Sequence, residues 1–296
     1  MAAVTPSGSG GTSLNNDGWT MVGLNEARLP GAAISSSSTL TIPDAAVVKF
    51  AALYWSANVG PGEQFTGDPT HARLLAPGPD STYQDLTGEV LSVVKEPVSG
   101  SKSERTYYES FKDVTAEVRL GGAGKWSVAD IAYAGNSHTD RSPSYYAGWA
   151  LVVVYEDGHL ATGNVTVFDG AALVDSARDQ TFTIATDTSS KLRVGVVAWE
   201  GDRDIAGDQL KVSAAGALAS SGVPLTPRRW DGLAGLTSNA FDSTAAGSDH
   251  PNSFGVDVKG FYSAVPPASS TTIRATSTQD RYLLGGLTTW APAPPD

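Results

Sequence analysis

Short apolar runs, each closed by Gly, Pro, Asp or Asn, recur along the whole of this chain. That punctuation suits a β protein, whose strands are short and whose turns use residues that tolerate unusual backbone angles. The runs place strands at Ser38–Ile42, Val47–Ala57, Ala72–Leu75, Glu89–Val94, Tyr107–Val118, Lys125–Tyr133 and Gly148–Glu156. Further runs follow at Asn164–Phe168, Gln180–Ala185, Lys191–Glu200, Gln209–Ser213, Phe254–Val258, Thr271–Thr276 and Tyr282–Trp290. The end of the fifth, Asp113–Val118, also reads as a short helix. So many strands with hardly a helical stretch point to an all-β fold, a single large antiparallel β-sandwich of jelly-roll-like form. ALVVVY and LRVGVVAW are nearly continuous in apolar residues, as strands covered on both faces are. TTIRATST alternates with period two, as a half-exposed strand does. Trp149 and Trp199 are the expected anchors of the core. Residues 1–18 read as a flexible Gly/Ser-rich lead-in, 19–291 as one sandwich domain, and 292–296 as the start of a Pro-rich linker.

Charge narrows the partners. Lys and Arg number 20 against 31 Asp and Glu, a net charge of −11. Phosphate contacts need clustered cations, and the longest basic cluster is Arg228–Arg229, so nucleic acid is not an expected partner. No apolar run is long enough to span a bilayer, so no membrane insertion is expected. Cysteine is absent, which removes disulfides, Cys-ligated zinc and cysteine nucleophiles. The opening MAAVTPSGSGG has neither the basic nor the apolar region of a secretory signal. With its flanks, the expectation is a mature segment of an exported protein rather than a cytosolic one.

The stretch VVAWEGDRDIAGDQL starts as a buried strand and becomes a run of charge: Glu200, Asp202, Arg203, Asp204 and Asp208. In an extended segment Asp202 and Asp204 point to one side and can converge. Glu200 and Asp208 could complete an oxygen shell, so calcium is the cofactor this loop would take. The spacing does not match an EF-hand. Asp and Gly are also ordinary turn formers, and Arg203 can pair with Asp202 or Glu156 at the surface for ~1 kcal/mol at most. A strand-connecting turn with ion pairs is therefore the first reading, and a weak calcium site the second.

A catalytic reading uses the same residues. Tyr155–Glu156 and Trp199–Glu200 are each followed by a glycine and a new strand, an echo of two hairpins. Glu156 and Glu200 would be the acid pair of a polysaccharide-active enzyme if they lay about 5–9 Å apart across a cleft. No G-x-S-x-G elbow, zinc-ligand spacing or nucleotide loop occurs. The polar segment GNSHTDRSPSYYAGW carries His138, Asp140, Arg141, Tyr145 and Tyr146, residue types that recognise a glycan or protein ligand. The alternative is that its tyrosines pack back onto the sandwich. Lys49, in VVKFAALYW, shares a strand face with Leu53 and Trp55. It either snorkels to water from the strand's start or is tied by a covalent crosslink to Asn or Asp beside an acid.

The runs YAGWALVVVYED, NVTVFDG and VGVVAWEGDRDIAGDQL resemble a domain of large exported bacterial and archaeal surface proteins, often set before immunoglobulin-like repeats. VVKFAALYWSA, KWSVADI and STQDRYLLGGLTT keep the same order, so the resemblance spans roughly Val47 to Trp290. It implies an extracellular β-sandwich on a cell surface and carries no catalytic residue. The expectation is a non-catalytic binding or adhesion module. A polysaccharide-active enzyme and a purely structural stalk-tip domain are the alternatives.

Overall fold

A computed structural model describes residues 2–6, 14–26, 32–98, 104–135, 145–186, 191–217, 222–229, 231–264 and 270–292. The chain is nearly all β, with strands at 55% and helix at 4%, and its antiparallel sheets pack together as in a sandwich. It gathers into two compact units, 1–158 with 247–256, and 159–246 with 257–296.

The first unit holds β1 (Ala2–Pro6), β2 (Trp19–Val22), β3 (Ser35–Leu40), β4 (Val47–Val59), β5 (His71–Leu75), β6 (Gln84–Thr87) and β7 (Glu89–Pro97). After these come β8 (Glu104–Asp113), α1 (Thr115–Gly121), β9 (Gly124–Ala129) and β10 (Ala147–Glu156). One four-stranded sheet runs β10-β4-β8-β7, the other β3-β9-β5-β6, and β1 pairs with β2. Leu53 and Trp55 of β4 and Tyr108 of β8 meet Leu74 of β5 and Trp126 and Val128 of β9 in one core. Each such side chain taken from water contributes ~1.5–3 kcal/mol, which is why these runs are so apolar. The helical reading of Asp113–Val118 holds: Thr115 N–H donates to Asp113 Oδ1 at 2.9 Å, and the strand ends there. Arg119, in the last turn, donates to Val48 O at 2.9 Å and ties the helix to β4.

The second unit holds β11 (Gly163–Phe168), β12 (Ala172–Val174), β13 (Gln180–Ala185), β14 (Lys191–Trp199) and β15 (Gln209–Ala214). It continues with β16 (Val223–Pro224), β17 (Thr226–Arg228), β18 (Val256–Ala264), β19 (Ser270–Thr276) and β20 (Tyr282–Pro292). Its larger sheet runs β11-β20-β14-β18-β17, with β12 also on β20, and the smaller runs β13-β19-β15-β16. Val194 and Val196 of β14, Leu287 of β20 and Phe261 of β18 pack against Leu210 of β15 and Ile273 of β19. Burial alternates along β14 through Leu192, Val194 and Val196, which leaves Lys191 and Arg193 exposed on the outer face. Trp199 is fully buried, and Trp149 is half-buried with its Nε1–H donating to Ser36 Oγ at 2.8 Å.

Candidate functional site

Tyr145 and Tyr146 are core residues rather than surface ones, 5% and 0% exposed. Tyr145 packs with Met21, Val59 and Ala134, and its hydroxyl donates to both oxygens of Glu63 at 3.0 and 2.9 Å. The Tyr146 ring stacks on Tyr107, its hydroxyl lies 2.7 Å from Ser56 Oγ, and its N–H donates to Asn58 Oδ1 at 2.9 Å. With faces packed and hydroxyls bonded inside, neither ring can present itself to a ligand. His138, Asp140 and Arg141 lie outside the described residues. Lys49 is at the exposed start of β4, its Nζ 2.5 Å from Glu156 Oε2 with both side chains more than half exposed. The lysine is therefore the snorkelling one, and Glu156 is its surface partner. Glu200 is buried in the other unit.

The 200–208 loop is not a solvated turn. Glu200, Asp202 and Asp208 are 4%, 4% and 0% exposed. Glu200 takes φ 75°, a left-handed angle uncommon for its type, and this turns the chain sharply out of β14. Only glycine fits at 201, where a Cβ would stand 2.4 Å from Phe241 O and 2.5 Å from Asp257 Oδ2. The 239–243 segment closes over the loop. Asn239 Nδ2 donates to Asp202 O and Arg203 O at 3.2 and 2.9 Å, and Phe241 N–H donates to Asp208 Oδ2 at 2.6 Å. From the other side Asp280 Oδ2 accepts from Asp202 N–H at 3.2 Å. Asp204 is exposed, so it does not share a side with Asp202 as extended geometry would require. The reason is that the chain bends at 203–204 instead of running straight.

Burial dominates the electrostatics. It pushes Asp208 up to about 7, against the pull of the Phe241 N–H. Asp257, fully buried, is also raised to about 7, with burial outweighing the opposing Lys259 charge. Asp280 goes up to about 10, through burial and then the neighbouring charges of Glu200, Asp202 and Asp208. Asp208 feels the charge of Asp257, and Asp280 those of Glu200, Asp202 and Asp208; sequence reasoning missed Asp280 and Asp257 because they come from distant parts of the chain. Around Asp208 the groups are oxygens, the chemistry a calcium ion wants, and Asp208 Oδ1 and Asn239 Oδ1 make no hydrogen bond, whereas Asp257 already faces the Lys259 ammonium. Among the described residues, however, no three acidic or histidine side chains are drawn together at ligating distance. The donor type fits calcium; the expected set of Glu200, Asp202, Asp204 and Asp208 does not, since Asp204 faces solvent.

The outer face of the larger sheet carries a second candidate. Val165, Trp290 and Arg193 are direct cross-strand partners on β11, β20 and β14. The Arg193 guanidinium lies 4.9 Å from the Trp290 ring centre and 5.6 Å from that of Tyr262, and Arg228 lies 5.7 Å from the latter. A row of aromatic and guanidinium groups thus crosses β20, β14, β18 and β17, with Tyr262 54% exposed and Val165 42%. Beside it Gly260 opens a gap: a Cβ there would meet nothing within 4 Å. Among the described residues no helix is long and apolar enough to cross a membrane. No protein-family model, curated protein or solved structure matches the chain.

Proposed function

We propose that this chain is a non-catalytic binding module of an exported cell-surface protein, and that its ligand is an acidic glycan. The observation that carries the reading is the Trp290–Arg193–Tyr262–Arg228 row on the outer sheet face. Aromatic faces stack on the C–H faces of sugar rings, and guanidinium groups bond carboxylates bidentately. Arg193 stacked between two rings fixes all three side chains beforehand, so little rotamer freedom remains to be lost on binding. Trp, Tyr and Arg are also the residue types in which binding energy concentrates. A polymer is favoured over a small ligand because the row spans four strands instead of lining a closed pocket. The surface location rests on the resemblance carried by β10, β11 and β14 and on a chain without cysteine.

Calcium is the second element of the proposal. The support is the burial of Asp208 and Asp280, which pushes their carboxyls up to about 7 and about 10, so that a proton or a cation must take the place of water there.

The test is retention on immobilised polygalacturonate, with dextran as the neutral control. The parent chain should be retained by the acidic polymer alone. Tyr262→Ala with Trp290→Ala should lower affinity at least tenfold, ~1.4 kcal/mol, at an unchanged melting temperature. Retention equal to the parent's, or no retention of the parent on the acidic polymer, defeats the reading.

A further inference from the structure

Lys259 is the most anomalous residue of the second unit. Its neighbours on β18 alternate: Asp257, Lys259 and Phe261 are buried, whereas Gly260 and Tyr262 face outward. The lysine side chain is 0% exposed, and so is that of Asp257. Its Nζ donates to Asp242 Oδ1 and to Thr244 Oγ1, and stands 3.3 Å from Asp257 Oδ1. Thr244 fastens the arrangement. Its hydroxyl donates to Asp242 Oδ1 at 2.7 Å and its N–H to Asp257 Oδ1 at 3.1 Å. A parallel bridge between Ala245 and Val258 holds the 242–246 segment along β18, with Ala246 N–H donating to Val258 O at 3.0 Å.

From this geometry we propose that Lys259 and Asp242 are joined in the mature protein by an intramolecular amide bond, with Asp257 as the proton carrier. Three features together favour a bond over an ion pair. The amine is fully buried, where a charged ammonium is costly even when paired. A second carboxyl, fully buried Asp257, stands 3.3 Å from the same amine, where it can carry a proton for the pair. The nitrogen and the Asp242 carboxyl are already in contact, and such preorganisation replaces an encounter step.

The step balances without an oxidant or an external reactant. The ammonium passes one proton to Asp257, which hands it to the Asp242 oxygen as the amine attacks. The Nζ lone pair attacks Asp242 Cγ, forming the N–C bond and a tetrahedral carbon. Asp257 takes a proton from that nitrogen and returns it to the departing hydroxyl of Asp242. The C–O bond breaks, one water leaves, and Asp257 ends as it began. Asp242 keeps 15% of its side-chain surface exposed, which gives the water a way out.

The measurement is intact mass of the full chain under denaturing conditions, followed by tryptic mapping. The expected mass is the sequence mass less one water, with cleavage after Lys259 blocked, so that residues 230–274 appear as one internally looped peptide lighter by that water, and a second cut between Asp242 and Lys259 leaves its two parts joined. Lys259→Arg, which keeps the charge but offers no amine, should show the full sequence mass, as should Asp257→Ala. A parent chain at full sequence mass, with Lys259 open to trypsin, overturns the proposal whether or not the variants fold. So does a lost water that maps elsewhere in the chain.

Discussion

A carboxylate taken out of water must find a proton, a cation or enough donors, and the backbone N–H groups around Asp208 do not outweigh its burial. Its Oδ2 takes the Phe241 N–H while Oδ1 makes no hydrogen bond. Burial raises it from the ordinary 3.8 to about 7. A raised folded-state value means that the native protein holds a proton the unfolded chain gives up. The stability this group contributes is therefore full below about pH 3.8 and is lost as pH climbs through about 7. Asp208→Asn keeps an acceptor for Phe241 and has no proton to lose. The variant should show a shallower fall in melting temperature between pH 5 and 8, and at pH 8 it should outlast the parent. Parallel melting curves would show that Asp208 is not the group being titrated. At this scale the sequence revealed the chemistry better than the address. At position 49 the snorkelling reading holds, because β4 is still exposed there, and the buried lysine is at 259 instead. In VDVKGFY the valines look like the inward face, and only tertiary packing shows that Asp257, Lys259 and Phe261 take it.

Strands were the most legible elements, because period-two burial and turn residues are local properties. β10 and β14, both read as nearly continuous apolar runs, proved to be edge and interior strands respectively, which periodicity alone cannot distinguish. The short β6 and β16 carry too few apolar residues to announce themselves, and their pairing partners create them. Glycine within a strand has a positional meaning of its own. Gly260 interrupts β18 where nothing crowds it and where its backbone angle is one that any residue adopts. Glycine there costs the strand stability relative to a β-branched residue. On the proposed function, that cost is offset by the close approach the open position gives a ligand. Gly260→Val should therefore hold or raise the melting temperature while abolishing retention on polygalacturonate. Undiminished retention would separate the gap from the binding row.

For the whole molecule, excess acid is the feature composition shows and the fold divides unevenly. The net charge is −11, yet among the described residues the acids raised by burial, Asp208, Asp257 and Asp280, belong to the second unit. They gather from β18, from the loop after β14 and from the turn before β20. No local motif could report such a meeting, which is why the 200–208 run alone looked like a surface turn. The division has a consequence for hydrogen exchange, corrected for the intrinsic effect of pH. From pH 5 to 8, amides of β14, β18 and β20 should lose protection, while those of β4 and β8 should hold theirs. On the proposed calcium site the ion and protons compete for the same oxygens, so millimolar Ca²⁺ should restore protection in the second unit at pH 8 and change little at pH 5. Restoration at pH 8 by magnesium as strong as by calcium would point to screening of the acidic surface, since the smaller ion sheds its water reluctantly. Protection lost equally in both units would place the pH response outside these buried acids altogether.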